Sequence, residues 1–217
     1  MIPKTIHYCW FGGSELPELC KRCVSSWENN LADYEIKLWD ESSLPSGVPF
    51  LSDMLKQKKW AFVSDYMRLY ALYHEGGIYF DTDIEVISNF DDLLDCSCFL
   101  GEESNGRATT GVIAAEAGHP YIKACMDLME ERHRKNLEYL IAPEIACLGL
   151  KGYENEVVVY PPEYFYPYNP YDASKSTSVL MFSDITRHTK AIHHWNHGWK
   201  LGFVERVVRT LKKVLNV

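Results

Sequence analysis

The chain has 217 residues and a formal net charge of −8, and 47% of its residues are hydrophobic and 13% aromatic. A chain of this length and composition can bury a sizeable core in one domain, which excludes an intrinsically disordered protein. No apolar run approaches the roughly 20 residues of a membrane-spanning helix, and the first residues lack a signal-peptide pattern, so we expect a cytoplasmic protein.

The seven cysteines are an odd number in a chain without a predicted export signal, which favours free thiols over a disulfide framework. Cys20-x-x-Cys23 and Cys96-x-Cys98 could each be half of a zinc site. A structural zinc site needs four ligands at recognisable spacings, and no second Cys-x-x-Cys or paired histidine completes either half. The pattern therefore argues against structural zinc.

Strand and helix patterns alternate along the chain. Short β-prone runs predict strands at 5–10, 34–39, 78–80, 84–87, 98–101, 111–115 and 157–160. Apolar residues at helical spacing predict helices at 17–27, 119–134 and 143–149, and a central helix that ends at Gly76-Gly77. This alternation predicts an α/β fold built in layers.

The first predicted strand ends at Trp10, and a glycine-rich turn containing Gly12 and Gly13 follows it. In open α/β sheets, ligands bind at the carboxyl ends of strands, so Trp10 could form the base pocket of a nucleotide. An equal alternative is a core tryptophan before an ordinary turn.

The central segment 61–86 combines the helix that ends at Gly76-Gly77 with a short buried strand and the sequence Asp81-Thr82-Asp83. Two carboxylates at the end of a strand can both turn toward one ion. Hard divalent cations such as Mg²⁺ or Mn²⁺ take carboxylate ligands together with phosphate oxygens and water, which suits a nucleoside diphosphate. The alternative is a pair of solvated acids at an ordinary turn.

Within the central helix, Ser64-Asp65-x-x-Arg68 resembles a helix start, with Ser64 or Asp65 in the first turn. Asp65 and Arg68 are three residues apart and therefore lie on one helix face. They form either a surface ion pair of little energetic value or part of a sugar pocket, where a carboxylate and a guanidinium bond several hydroxyls.

Two aromatic stretches follow in the second half of the chain. Residues 160–171 are rich in tyrosine and proline, and they either stack on sugar rings or form a packed irregular connection under the sheet. Residues 191–199 hold three histidines and two tryptophans. Because imidazole is a common ligand of borderline metals, this stretch could supply the third protein ligand that Asp81 and Asp83 lack.

The C-terminal segment 200–217 carries five cations against Glu205 alone, whereas residues 1–199 are strongly acidic. Its apolar residues fall on one helical stripe, which predicts either an interfacial helix drawn to anionic lipid or a helix docked on the core. The expected organisation is therefore a domain at 1–199 and a basic amphipathic helix at 200–217. The acidic charge of residues 1–199 argues against a nucleic-acid partner.

Taken together and in order, these motifs resemble the glycosyltransferases that carry a DXD-containing sugar-binding region. The resemblance is to bacterial capsular and exopolysaccharide-type relatives of Golgi initiating mannosyltransferases, and more distantly to glucosylating toxin domains. It covers nearly the whole chain through IPKTIHYCWFGG, SW, YEIKLWDE, AFVSDYMRLYALYHEGGIYFDTDIEV, YPPEYFYP and IHHWNHGW.

The resemblance implies a GT-A-type fold, a Rossmann-like mixed sheet flanked by helices, and a retaining transfer that depends on Mn²⁺ or Mg²⁺. The expected reaction moves a hexose or N-acetylhexosamine from a nucleotide sugar, with UDP as the expected carrier. The expected acceptor is a glycan or lipid-linked oligosaccharide of capsule or lipopolysaccharide synthesis.

The resemblance also implies roles for single residues. Trp10 would stack on the nucleobase, Asp65 and Arg68 would contact the sugar, and Tyr79 would lie near the ribose. Trp199 would contact the leaving diphosphate.

Asp81 and Asp83 would be the catalytic carboxylates and metal ligands, with Asp81 also near the donor, and His194 would be the late metal ligand. The choice between His193 and His194 is open from the residues alone. Relatives commonly carry Ser-Trp where Gly198-Trp199 stands, so His197 could replace the missing hydroxyl at the phosphate.

Two other classes of function are compatible with parts of the pattern. A nucleotidyltransferase or phosphohydrolase would need an activating base or a second metal cluster, and the sequence offers no such set. A carbohydrate-binding module without catalysis could use the aromatic loop, but it would have no reason to bind UDP. Glu102 and Glu103 are candidate nucleophiles for a covalent retaining route, with surface acids as the alternative.

Overall fold

The computed structural model describes residues 1–172 and 177–196. The strands in these residues are β1 (Thr5–Cys9), β2 (Glu35–Trp39), β3 (Gly77–Phe80), β4 (Ile84–Val86), β5 (Cys98–Ser104), β6 (Arg107–Ala115), β7 (Val158–Tyr160) and β8 (Ala191–His193). Six of them form a mixed sheet in the order β2-β1-β3-β6-β5-β7, while β4 and β8 form a small antiparallel sheet. β1 runs parallel to β2 and β3, and β6 runs antiparallel to β3 and β5.

Helices cover both faces of the large sheet. Their bounds are α1 (Glu18–Asn30), α2 (Pro49–Lys56), α3 (Trp60–Glu75), α4 (Pro120–Arg134) and α5 (Ala142–Gly149). Residues of α2 to α5 form one buried core with one face of the sheet. α1 and the small sheet form a second core on the opposite face, where the rings of Trp27 and Phe80 lie 5.4 Å apart. The layered α/β architecture predicted from the sequence is confirmed.

The two glycines between α3 and β3 fix the direction of the strand that leads to the acidic pair. Gly76 and Gly77 have φ values of 68° and 111°, which side chains other than hydrogen rarely tolerate. A Cβ on Gly77 would lie 2.5 Å from the Thr5 carbonyl oxygen. Glycine is therefore required for β3 to enter the sheet beside β1.

His7 of β1 ties three elements together at the same junction. The Trp39 indole N–H can only donate, so the His7 Nδ1 that lies 3.0 Å from it accepts that bond. His7 Nε2 therefore carries the proton and donates to the Gly76 carbonyl oxygen at 2.7 Å. Burial lowers the pKa of His7, which keeps the ring neutral in this arrangement.

The central helix begins earlier than predicted. α3 starts at Trp60, so Ser64 and Asp65 lie in its second turn and are buried. The prediction of a helix start at these residues was wrong because their polar side chains serve a buried site, described below, and not a helix cap.

The C-terminal prediction is not covered by this structure, since residues 200–217 lie outside the described residues. The division of the chain at residue 199 therefore stays a prediction. Among the residues that are described, no helix is both long enough and apolar enough to cross a membrane.

Candidate active site

Most of the predicted donor-binding and metal-binding residues that the structure describes meet in one cleft at the carboxyl ends of β1 and β3. The cleft has a volume of about 200 Å³. Its lining includes six of the predicted site residues: Trp10, Asp65, Arg68, Tyr79, Asp81 and Asp83. The topology accounts for this convergence, because β1 and β3 run parallel and their ends open on the same edge of the sheet.

Arg68 is the buried cation of the cleft, with only 6% of its side chain exposed. Its guanidinium lies 2.9 Å from the Asp65 carboxylate and 3.1 Å from that of Asp81, and it also donates to the Thr110 carbonyl oxygen at 3.0 Å. It stacks over the Tyr79 ring at 4.5 Å. The surface ion pair considered from the sequence is thus excluded, and the pair joins α3 to the acidic motif after β3.

Asp83 is bound by the chain that follows β8. Pairing of β4 with β8 places Ile84 opposite His193, next to Asp83. His193 Nε2 lies 3.1 Å from Asp83 Oδ1, and the backbone N–H of Asn196 donates to Asp83 Oδ2 at 2.7 Å. Segments more than a hundred residues apart therefore share one carboxylate.

His193, not His194, is the histidine that the structure places with the two aspartates. Ligand atoms of Asp81, Asp83 and His193 all lie within 4.8 Å of one another. His194 Nε2 instead lies 2.7 Å from Glu85 Oε2, in a separate cleft. The reason is that successive side chains of an extended segment point to opposite sides. On this geometry His193, and not the expected His194, is the candidate third ligand.

The two carboxylates have different titration behaviour. Burial raises the pKa of Asp81 above its usual range, although the Arg68 guanidinium opposes that shift. Burial alone would also raise the pKa of Asp83, but the His193 imidazole and the Asn196 N–H lower it overall. Asp83 is therefore ionised at neutral pH in a site that is mostly closed to solvent.

The residues present fit a divalent cation. Two carboxylates and one imidazole form a mixed oxygen and nitrogen donor set of the kind that binds divalent cations in proteins. Within the part of the chain that the structure describes, His193 Nδ1 is the buried side-chain polar atom that has no hydrogen-bond partner. A buried nitrogen without a partner is costly unless a ligand uses the site.

Other predicted residues lie apart from this group. Glu103 is mostly buried and pairs with Arg107 at 2.6 Å, and neither Glu102 nor Glu103 lines the cleft. In the aromatic stretch 160–171, Phe165 is fully buried and Tyr166 almost fully buried. This agrees with the predicted alternative of a packed irregular connection under the sheet. His197 and Trp199 lie outside the described residues.

Asn196, Tyr166 and Gly111 were not predicted as site residues from the sequence, although Gly111 could have been recognised as unusual. Tyr166 Oη accepts the Val112 N–H at 2.8 Å, and a Cβ on Gly111 would lie 2.8 Å from Asp81 Oδ2 and 2.9 Å from Tyr166 Oη. A glycine inside a strand often marks such a close approach.

We expect Gly111→Ala to displace the Asp81 carboxylate and to leave the fold intact, because the nearest atoms are the ends of side chains. Changes that disturb the residues orienting a metal ligand commonly cost about 10-fold to 100-fold in metal affinity. Titration with Mn²⁺ would measure the metal affinity, and a thermal melt would show whether the fold is retained. Unchanged Mn²⁺ affinity would show that Asp81 tolerates the added methyl group.

Binding of Mn²⁺ should weaken as the pH falls, because the ligand imidazole must lose its proton. Burial alone would lower the pKa of His193, but Asp83 and Asp81 raise it above its ordinary value near 6.5. Mn²⁺ affinity should therefore be complete only at pH values above the raised pKa of His193. As the pH is lowered, the loss of affinity should begin before pH 6.5 is reached. Mn²⁺ titrations between about pH 6 and pH 8.5 would test this. A flat profile, or one that matches the profile of His193→Gln, would contradict it.

Comparison with known proteins shows what this architecture resembles. Residues 17–100 match the family described as "Glycosyltransferase sugar-binding region containing DXD motif". The chain is 29% identical over 126 residues to "Inositol phosphoceramide mannosyltransferase 3" of Schizosaccharomyces pombe (strain 972), covering 56% of this chain and 35% of the relative. It is 25% identical over 157 residues to "Mannosyl phosphorylinositol ceramide synthase SUR1" of Saccharomyces cerevisiae (strain S288c), covering 70% of this chain and 40% of the relative.

Among solved structures, the chain is similar to "PaToxG Glycosyltransferase", with a TM-score of 0.59 and 20% identity over 70% of this chain and 69% of that one. This likeness confirms the predicted GT-A-type fold, and the match of residues 17–100 confirms the resemblance to the DXD-containing family. The chain spans well under half the length of the curated relatives it matches.

Proposed function

We propose that this protein is a metal-dependent, retaining glycosyltransferase. It would transfer a hexose or N-acetylhexosamine from a nucleotide sugar, with UDP as the expected carrier, to a glycan or lipid-linked acceptor. The observation that carries the proposal is the convergence of Asp81, Asp83 and His193 beside the buried Asp65 and Arg68 in one cleft.

The residues divide the work of donor binding. Trp10 Nε1–H donates to the Ser14 carbonyl oxygen at 2.6 Å, which fixes the ring at the cleft and supports its role as a stacking surface for a base. Arg68 holds the Asp65 carboxylate in place, so that Asp65 can accept hydrogen bonds from sugar hydroxyls. Tyr79 is the aromatic platform under Arg68.

Asp81, Asp83 and His193 would hold the cation. The chemistry that a divalent cation supplies in such a site is Lewis-acid stabilisation of the negative charge on the departing diphosphate. The His193 and Asn196 contacts keep Asp83 ionised and oriented before donor binds. Preorganised charge of this kind avoids reorganisation during the reaction.

Retention of configuration requires either a covalent intermediate or attack on the same face as the leaving group. Among the described residues that line the cleft, the carboxylates are Asp65, Asp81 and Asp83. Each is committed to Arg68, to His193 or to the cation, and Glu102 and Glu103 are not in the lining. This arrangement favours the same-face route, which needs no protein nucleophile.

The names of the relatives suggest which acceptors and which sugars to test. Both names quoted above refer to inositol-containing ceramide lipids and to mannose, which is a hexose. A lipid-linked acceptor is therefore part of the proposal, and GDP-linked donors belong beside UDP-linked ones in any test. The proposal also includes peripheral contact of the cationic segment 200–217 with an anionic membrane in surface-polysaccharide synthesis.

Equilibrium binding of nucleotides tests the donor site without an acceptor. Purified protein would be titrated calorimetrically with UDP and with GDP, in Mn²⁺ and again in EDTA, with free glucose and mannose as controls. Binding of one nucleotide that is lost in EDTA supports the proposal. Binding of free sugar without nucleotide would instead identify a carbohydrate-binding module.

A further inference from the structure

Trp195 has an unusual backbone conformation next to the acidic site. Its φ is +55°, a left-handed value that bulky residues rarely adopt. Among the described residues, Lys58 and Asn136 also combine a side chain with positive φ, and both follow helix ends, where such residues are common. Trp195 follows a strand, so the helix-end explanation does not apply to it.

The turn at Trp195 wraps the chain around Asp83. The backbone N–H of His194, just before the turn, donates to the Asp83 carbonyl oxygen at 3.0 Å. The backbone N–H of Asn196, just after it, donates to the Asp83 carboxylate at 2.7 Å. The left-handed residue between them turns the chain so that both N–H groups reach Asp83, one at its backbone carbonyl and the other at its carboxylate.

The Trp195 side chain is held on several sides. Its indole N–H donates to the Tyr168 carbonyl oxygen at 2.9 Å. The ring packs against His193 with centroids 4.3 Å apart, and against Tyr166 and Tyr171 at 6.1 and 5.9 Å. Tyr166 is itself bonded to the backbone of β6. These contacts fix the indole and can offset the cost of the strained backbone.

We propose that Trp195 is a positioning residue for the cation site: its ring holds the His193 imidazole, and its left-handed turn holds the Asn196 N–H on Asp83. The inference rests on the proposed function in one respect, namely that Asp81, Asp83 and His193 bind a divalent cation. Trp195 itself is not among the residues that line the cleft, whereas His193 and Asn196 are. It acts by keeping two partners of Asp83 in register.

Three substitutions separate the ring from the turn. Trp195→Ala removes the ring and leaves the strained conformation, whereas Trp195→Gly removes the ring and adopts positive φ freely. Trp195→Phe keeps a ring but loses the bond to Tyr168. Phe182→Ala is the matched control, because Phe182 is an aromatic residue that is 94% exposed.

The measured quantity is binding of Mn²⁺ alone, detected by electron paramagnetic resonance of the free ion. A thermal melt of each variant shows whether it is folded. We expect Trp195→Ala to weaken Mn²⁺ binding by about tenfold or more, as residues that orient metal ligands do. Trp195→Gly should bind Mn²⁺ about fivefold more tightly than Trp195→Ala, because alanine resists the left-handed region. Phe182→Ala should match the wild-type protein.

Wild-type affinity in Trp195→Ala, or equal losses in the alanine and glycine variants, would overturn the inference. If the alanine variant fails to fold, Trp195→Phe decides: about fivefold weaker binding supports the inference through the lost hydrogen bond, and unchanged binding overturns it. Since Mn²⁺ binding needs neither donor nor acceptor, a Trp195-dependent site in a protein that transfers no sugar would refute the transferase and keep the positioning role.

Discussion

Asp83→Asn is expected to abolish turnover while the protein stays folded. Asparagine preserves the shape of the side chain but removes the negative charge that His193 and the Asn196 N–H surround. Loss of a residue that only orients a metal ligand costs up to about a hundredfold in affinity or activity, so loss of a proposed ligand should exceed that. The pKa of His193 should also fall, because the Asp83 carboxylate that raises it is gone.

Release of nucleoside diphosphate and Mn²⁺ affinity measure this effect, and a thermal melt shows that the fold is retained. Asp127→Asn is a suitable control, because Asp127 is half-exposed on α4 and pairs only with Lys123 among the ion pairs of the described residues. Activity of Asp83→Asn near that of the control would remove Asp83 from the proposed site.

Arg68→Met is expected to cause the largest loss of stability among single changes in the cleft. The substitution leaves the carboxylates of Asp65 and Asp81 buried without their shared cation. Removing one partner of a buried pair costs about 3–5 kcal/mol, a large part of the roughly 5–15 kcal/mol that stabilises a typical domain. Donor binding should be lost as well, because Asp65 is no longer held in place.

Urea unfolding measures the change, with Arg134→Met as the control on an exposed arginine of α4. Adding Asp65→Asn to Arg68→Met should recover part of the stability, since it removes one uncompensated charge, but it should not recover donor binding. A loss below about 1 kcal/mol in Arg68→Met would mean that the pair behaves like a surface ion pair.

The part of the site that lies just after β3 could be predicted from the sequence, because local signals define it. The pair Gly76-Gly77 ends a helix, and Asp81 and Asp83 follow a short apolar strand at a fixed distance. The functional meaning of Asp65 and Arg68 could not be decided in the same way. Their burial depends on packing of α3 against the sheet, which no local pattern encodes.

The choice between His193 and His194 depends on the pairing of β8 with β4. β8 has only three residues, which is too short for an alternating pattern to show which side chains face the core. A shift by one residue would exchange the two histidines. The register therefore decides the expected ligand, and only the tertiary structure supplies it.

The turn at Trp195 left no sequence signal at all. Left-handed turns are predicted from glycine, asparagine or aspartate. The left-handed conformation of Trp195 is instead maintained by contacts with Tyr168, which is 27 residues away, and with His193, and no local sequence pattern predicts either contact. Gly111 is the opposite case, since a glycine inside a strand is a signal from which the close approach of another group could have been predicted.

The most direct test of the account is a donor screen with the purified chain. Each UDP-linked and GDP-linked sugar would be incubated with protein and Mn²⁺, with and without EDTA, and release of UDP or GDP would be recorded beside Asp83→Asn. We predict that one donor releases its nucleoside diphosphate slowly, that this release requires Mn²⁺, and that Asp83→Asn shows no release. Release that persists in EDTA or in Asp83→Asn, or binding of sugars without any nucleotide binding, would contradict a metal-dependent glycosyltransferase centred on Asp81, Asp83 and His193.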